Sequence, residues 1–584
     1  MAPSATGHAN GAVPRILVPE KVSPDGLSLL QDAHFEVDVR PGLAPADLLS
    51  LIPSYQALIV RSETKVTAEV LATAGKLRVV ARAGVGVDNI DVEAATAHGI
   101  IVVNSPAGNI VAAAEHTIAL LLATARNVGR ADAGVKNGKW ERGGLVGVEV
   151  ARKVLGIVGL GKVGMKVARM AIGLGMKVVG VDPYMSADVA RQNGVETVGS
   201  LEEMLPQVDF LTIHTPLIAS TLNLLGVKEF QSMKKTARVL NVARGGIYNE
   251  EALVRALDEG WIAGAGIDVF TSEPPKPGST AEKLSQHPKC VATPHLGAST
   301  VEAQENVSLD VCTQVVEVLR GGLPTAAVNA PLILPEEYRK LQPYVRLVER
   351  MGGLYTQHFV GRRGGMIGGR RFELRYQGEL AGVSNTRPLY AALVKGLTSS
   401  ISDSGGRDVN IVNAGLIAKD KGIAINETHA REGGREELVY ASLVTLRSSQ
   451  NGGGPGQDGD AEQVIEGYVS GTEVQISRLD RFTCSFAPEG TLLVLHNYDE
   501  PGKVGNVGMI LGRFGINVTF MQVAALDKKA AVPTAAGDGT AGVKKRKGGN
   551  EALMILGVDG EVTKEVLEDL GRAEGILDVN LVRL

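Results

Sequence analysis

Residues 154–170 read VLGIVGLGKVGMKVARM. In a chain of 584 residues that contains 72 glycines, a G-x-G-x-x-G motif carries weight only through its surroundings. Here Gly159, Gly161 and Gly164 follow the apolar run VLGIV and open KVGMKVARMAI, whose apolar residues recur at helical spacing. Strand, glycines and helix in that order give each glycine its own part, respectively a tight turn, close approach of backbone to a diphosphate, and close contact of helix with strand. The amides of the helix N-terminus then face the diphosphate. The next apolar strand, KVVGVD, ends at Asp182, 23 residues after Gly159. A carboxylate at that spacing suits a ribose diol and repels a 2′-phosphate, so NAD is expected rather than NADP.

Outward from the motif the same rhythm repeats. VDFLTIH, ARVLNVA, IAGAGIDVF and CVATPH follow it, while RILVP, FEVDV, ALIVR, RVVAR and IVVN precede it between residues 15 and 104. Such alternation with amphipathic stretches builds parallel sheets covered on both faces. The chain therefore holds two α/β units linked by the helix AAAEHTIALLLATARNV, and the helical stretch from Ser299 to about Arg320 is expected to return to the first. Composition changes after Asn329: GRRGGMIGGRR (361–371) and NGGGPGQDGD (451–460) bury too little apolar surface to offset chain entropy and read as loops around a third, mixed α/β region. From Leu492 the order strand, helix, strand, strand, helix, strand is that of a ferredoxin-like unit, interrupted by a polar insertion at 527–550. Residues 1–14 read as a disordered end.

Global properties narrow the function. Lys and Arg number 60 against 64 Asp and Glu, so no basic field gathers nucleic acid or an anionic membrane, and the KKRK run reads as a solvated loop. No apolar run reaches the roughly 18 residues of a spanning helix. Cys290, Cys312 and Cys484 are far apart and form no C-x-x-C pair, which argues against a disulfide framework or a metal site and fits a reducing compartment. A small-molecule substrate is expected.

Reactive groups in an open α/β sheet gather beyond the carboxyl ends of its strands. Arg244 in ARVLNVARGG, Glu273 in IDVFTSEPP and His295 in VATPHLGAST stand at three such ends. A guanidinium matches a carboxylate, an imidazole exchanges a proton near neutral pH, and a carboxylate beside it orients the ring. Singly, each has a plain structural reading. Together, downstream of a dinucleotide site, they suit hydride transfer at a 2-hydroxy acid. His116 and His214 read as packing residues.

GLGKVG, VDP, NVARGG, DVFTSEPP and TPHLGAST, in that order, resemble the D-isomer-specific 2-hydroxyacid dehydrogenase family, as do VRSETKV, ARAGVGVDNID and GKWERG around them. The likeness runs from Arg15 to Leu584 apart from the glycine-rich insertions, and is to the long form of the family. It implies a Rossmann NAD-binding domain (107–300) inserted in a flavodoxin-like substrate domain (15–106 and 301–330), then an α+β intervening domain (331–480) and a ferredoxin-like ACT domain (490–584). Carried over by motif, Arg244 binds the substrate carboxylate, Glu273 pairs with His295, and His295 is the acid/base. Val85, Lys162, Val163, Asp182, Thr215, Val242, Ala243, Asp268, Leu296, Gly297 and Ala298 join the three glycines as cofactor neighbours, with Asp268 holding the nicotinamide carboxamide.

The implied substrate is 3-phosphoglycerate, oxidised in the first step toward L-serine. Its phosphate calls for further cations. Arg61, Ser62 and Arg82 at strand ends of the first unit are the candidates, and Arg142 resembles a residue that reaches a neighbouring subunit's site in a homodimer or homotetramer. In the ACT-like unit Asn497, Asp499 and Asn517 resemble effector contacts, with L-serine the effector implied; Asp499 stands where serine-sensitive forms carry an amide, so a purely dimerising role stays open. Tyr248 and Asn249 replace a small apolar residue and Asp, and Asn249 can still cap the next helix. A glyoxylate or hydroxypyruvate reductase shares the catalytic motifs but normally lacks the two C-terminal regions, and the ACT-like tail weighs against an NAD-sensing corepressor on the same fold. The expected compartment is the plastid stroma in a photosynthetic eukaryote and otherwise the cytoplasm.

Overall fold

The computed structural model describes residues 13–361, 367–401, 409–430, 440–450, 463–525 and 551–584. The N-terminal stretch, the 451–460 loop and the 527–550 insertion read from the sequence lie almost wholly outside these residues. The chain divides into two compact units: Met1–Val66, Val79–Ile90 and Val103–Arg320 form one, and Thr67–Arg78, Asp91–Val102 and Gly321–Leu584 the other.

In the first unit the quoted run sits at the centre of a seven-stranded sheet. Its strands lie in the order Cys290–Ala292, Gly264–Ile267, Arg238–Asn241, Phe210–Ile213, Val154–Val158, Lys177–Val181, Glu196–Thr197, and every pairing is parallel. Sequence order therefore reverses between Val154–Val158 and Phe210–Ile213, which opens a crevice beyond their carboxyl ends. Apolar residues on both faces explain the layering. One face is covered by Ile110–Ala125 and Lys162–Gly173 through Leu121, Ala125, Val167 and Ala171, the other by Glu250–Asp258 and Thr280–Ser285 through Leu253, Leu257 and Leu284. The linking helix is shorter than its composition suggests. It ends at Ala125, Asn127 turns left-handed at φ 56°, and a second helix, Val128–Lys136, follows; asparagine tolerates that backbone better than the alanines before it.

A five-stranded sheet has the order Glu36–Val39, Arg15–Val18, Ala57–Val60, Val79–Arg82, Ile101–Asn104. The helix Val301–Leu319 returns to it. Ser308 Oγ accepts the N–H of Ser23, and a Cβ on Gly26 would lie 3.1 Å from Cys312 Sγ, so glycine lets the helix Pro24–Asp32 approach closely.

The second unit holds a six-stranded sheet in the order Ala424–Ala430, Arg370–Gly378, Ser442–Gln450, Gln463–Ser470, Glu473–Leu479, Phe482–Phe486. Two expectations shift here. Arg370 and Arg371 open a strand whose burial alternates, rather than closing a glycine-rich loop, and the sheet continues to Phe486, past the boundary placed at 480. A four-stranded antiparallel sheet follows in the order Asn517–Ala525, Glu551–Asp559, Thr491–Tyr498, Ile576–Arg583, with the helices Lys503–Arg513 and Lys564–Arg572 completing a βαββαβ unit.

The helices Pro335–Tyr355 and Arg387–Ser399 of this unit cross in backbone contact. A Cβ on Gly396 would lie 2.0 Å from Glu349 O, and one on Gly352 2.8 Å from Leu393 O. Gly396→Ala is therefore expected to force the helices apart and cost about 1–3 kcal/mol of stability, read as an earlier midpoint in urea unfolding.

Candidate functional site

The glycine loop meets three different local demands. Gly159 has φ 92°, and a Cβ there would lie 2.7 Å from His214 O; a Cβ on Gly164 would lie 2.1 Å from Gly159 O. Those two positions are fixed by the chain's own packing. Gly161, the N-cap of Lys162–Gly173, has nothing within 4 Å of its Cβ position, so the approach to the amides of Lys162 and Val163 is open. Asp182 ties the loop to the next strand, its Oδ2 accepting the N–H of Leu160 at 2.8 Å and its Oδ1 that of Tyr184 at 2.8 Å. Beside Gly159, Thr215 Oγ1 is buried and has no hydrogen bond among the described residues. An open helix N-terminus, an acid at the second strand end and an orphaned hydroxyl fit the diphosphate and sugar of a dinucleotide. His214 takes no part: it contacts Thr212 Oγ1 through Nε2, and burial pushes its pKa down to about 4.

The loops after Arg238–Asn241, Gly264–Ile267 and Cys290–Ala292 collect at the same sheet edge. Buried Asn241 folds the first loop back, donating to Arg244 O and accepting the N–H of Ala243. A Cβ on Gly245 would lie 2.1 Å from Phe270 O, so the first two loops touch through backbone. Tyr248 is fully buried and donates to Val269 O, while Asn249 caps the helix Glu250–Asp258 through Ala252 N–H. Those two substitutions thus leave the loops tied together. The N–H of His295 is donated to Asp268 O, its φ is 54°, and its Nδ1 lies 2.6 Å from Glu273 Oε2. The other Glu273 oxygen accepts the N–H of Phe270. Burial acts to raise the Glu273 pKa, but the hydrogen bonds from His295 and Phe270 outweigh it and hold the carboxyl below its ordinary range. An ionised Glu273 is an acceptor only, so His295 Nδ1 carries the proton and the neutral ring's Nε2 is left as the acceptor.

Asp268 does not face an open crevice. It is 0 % exposed, and its oxygens accept from Thr293 Oγ1, from the N–H groups of Leu296 and Gly297, and from His116 Nε2. Its expected bond to a nicotinamide carboxamide thus competes with partners the chain already supplies. His116, read from the sequence as packing, is the polar contact that reading missed; its partners are 152 and 177 residues away, and no local pattern marks them. Val242 packs under Gly297, and Val85 and Leu296 are exposed.

Cations gather beside these loops. Arg244 donates through Nε to Asp88 and through Nη1 to Ala243 O, and its Nη2 lies against Gly86. Arg82 turns the Nη1 end of its guanidinium against Gly84, and among the described residues its buried Nε has no partner. Burial, then Arg244 and Arg61 as like charges, push its pKa down against the pull of Asp88 and Glu20. Glu20 is held in place as its oxygens accept the backbone N–H groups of Arg61, Glu63 and Thr64. Arg61, Arg82 and Arg244 therefore share one field, with Ser62 in the loop between Arg61 and Glu63. Arg142 is exposed on the turn before Gly143–Leu145, and among the described residues no hydrogen bond or ion pair joins it to them. In the second unit, Asn497 is buried and its Oδ1 has no partner among the described residues, whereas Asp499 and Asn517 are exposed. Strand register places Asn497 opposite Ala552 and Asn517 opposite Asp559, at opposite ends of the sheet, so one chain does not bring them together. Among the described residues no cluster of His, Cys, Asp or Glu is placed to hold a metal, and no helix is long and apolar enough to cross a membrane.

Residues 118–297 match the family model of the D-isomer specific 2-hydroxyacid dehydrogenase NAD binding domain, and residues 340–459 that of the D-3-phosphoglycerate dehydrogenase intervening domain. The chain is 42% identical over 573 residues to the Arabidopsis thaliana protein named D-3-phosphoglycerate dehydrogenase 2, chloroplastic, covering 98% of this chain and 87% of the relative. The chain belongs to the D-3-phosphoglycerate dehydrogenase family. A second relative, D-3-phosphoglycerate dehydrogenase of Archaeoglobus fulgidus, is 37% identical over 98% of this chain and 100% of its own length. A solved D-isomer specific 2-hydroxyacid dehydrogenase from Polaromonas sp. JS6 66 superposes with a TM-score of 0.50 at 25% identity, over 54% of this chain and all of that one. Membership makes the chain an NAD-dependent oxidoreductase.

Gly161→Ala separates the two uses of glycine in the loop. With no neighbour for the added methyl, stability is expected to change by under about 1 kcal/mol, while NAD affinity measured by calorimetry falls by at least about tenfold.

Proposed function

We propose that this chain oxidises 3-phospho-D-glycerate to 3-phosphohydroxypyruvate with NAD, the first step toward L-serine. The reading is carried by the hydrogen-bonded His295–Glu273 pair, set on the same touching loops as Arg244, with the half-buried Arg82 in the field of Arg244. Arg244 pins the substrate carboxylate and the C2 oxygen. His295 Nε2 accepts the C2 hydroxyl proton, and Glu273 holds Nδ1–H and stabilises the imidazolium that forms. When bound, NAD supplies the acceptor for the C2 hydride. Arg82, Arg61 and Ser62 meet the phosphate, whose dianionic charge suits a field of three guanidinium groups. Gly159, Gly161, Gly164, Lys162, Val163, Asp182 and Thr215 seat the nucleotide, with Val85, Val242, Ala243, Asp268, Leu296, Gly297 and Ala298 around its reactive end.

Pairing of chains completes the reading. The helix Val128–Lys136 buries none of its residues, and Val128, Val135, Trp140 and Val146 are exposed, which supports a homodimer or homotetramer in which Arg142 serves a neighbouring site. The βαββαβ unit is proposed to be an ACT domain. An L-serine site built from Asn497, Asp499 and Asn517 needs two copies, because their positions lie at opposite ends of one sheet. The plastid stroma is the proposed compartment if the source is a photosynthetic eukaryote, supported by the chloroplastic relative. A glyoxylate or hydroxypyruvate reductase uses the same loops, but the crowding of Arg82 favours a phosphorylated acid.

NADH production is expected from 3-phosphoglycerate and not, at comparable rates, from glycolate or D-lactate; equal rates on the unphosphorylated acids refute the substrate. His295→Ala is expected to lower kcat by about a thousandfold while leaving the Kd for NAD within about twofold. A variant keeping most of its turnover removes His295 from the role.

A further inference from the structure

We propose that His116 is a positioning residue that tethers Asp268, and through it the loop bearing His295, to the helix Ile110–Ala125. The proposal rests on His295 being the acid/base. An imidazole on a helix built mainly from Ala, Leu, Ile and Val needs a reason, and the geometry supplies one. His116 Nε2 lies 3.1 Å from Asp268 Oδ1 and 3.1 Å from Thr293 Oγ1. Asp268 Oδ1 also accepts from Leu296 N–H at 2.7 Å and from Thr293 Oγ1 at 2.7 Å, and Oδ2 accepts from Gly297 N–H at 2.9 Å.

The origin of these donors matters. Thr293, Leu296 and Gly297 belong to the same short loop as His295, whose own N–H is donated to Asp268 O. Carboxylate and loop therefore hold each other, and backbone bonds from Asp268 N–H to Asn241 O and from Thr293 N–H to Ile267 O root both in the sheet, which leaves the carboxylate's hold on the covering helix to a side chain. Among the described residues His116 is the only side chain from another element that meets the Asp268 carboxylate. An ionised carboxylate only accepts, so His116 Nε2 carries a proton and donates it, which fixes the ring's tautomer. Nothing places His116 against substrate or proton; it acts through Asp268.

The test uses two amides that differ only in reach, His116→Gln and His116→Asn, in the full-length chain. Glutamine carries its NH2 about as far as Nε2, and asparagine falls short. The readouts are kcat with 3-phosphoglycerate, the Kd for NAD, and hydrogen exchange of the Leu296 and Gly297 amides without NAD. His116→Gln is expected to stay within about threefold of the parent in kcat, and His116→Asn to lose at least about tenfold, because small misplacements of reacting groups are costly. Exchange at Leu296 and Gly297 should quicken at least about tenfold in the Asn variant alone. Equal behaviour of the two variants, unchanged exchange in His116→Asn, or a parental kcat in it overturns the proposal. So does lost protection in His116→Gln, however the Asn variant folds. The exchange comparison stands by itself: parental turnover in His295→Ala would remove the acid/base assignment and leave the tether to be judged on exchange alone.

Discussion

A carboxylate with no access to water sits at the centre of the site, and the loops around it are shaped by the need to satisfy it. An unpaired buried charge costs several kcal/mol, and Asp268 escapes that cost by collecting four donors. Burial alone acts to raise its pKa, yet the bonds from His116, Thr293 and Leu296 leave it below the ordinary value, so it stays charged. Wrapping 293–297 around this anion turns His295 to a positive φ and points its ring toward Glu273. The backbone contact between Gly245 and Phe270 then brings Arg244 to the same edge.

Much of this was legible along the chain. The glycine loop could be read because its requirements are local: a strand, three spaced glycines, a helix, and an acid one strand later. Arg244, Glu273 and His295 could be picked out because strand ends in a parallel sheet share one edge, so position in the βα rhythm implies nearness. Asn249 as a cap was legible for the same reason, its partner being three residues on.

What escaped has partners set by the fold. His116 looks like packing on its own helix, and Asp268 looks like a residue facing outward from a strand end; only their pairing shows that neither reading suffices. The sheet of the second unit runs past residue 480 because a short strand, Phe482–Phe486, finds an edge to pair with, and no turn signal announces that. The motif names Asn497 and Asn517 together, but only antiparallel register shows that they stand at opposite ends of one sheet. Local rules of spacing carry no register.

The crowding of Arg61, Arg82 and Arg244 also bears on how long the protein lasts. Like charges held together oppose the compact state, and the carboxylates of Asp88 and Glu20 beside them offset only part of that repulsion. A dianion that binds only the folded chain deepens its native well as concentration rises. Opening of this unit, and with it exposure to proteases, would then fall as such an anion accumulates.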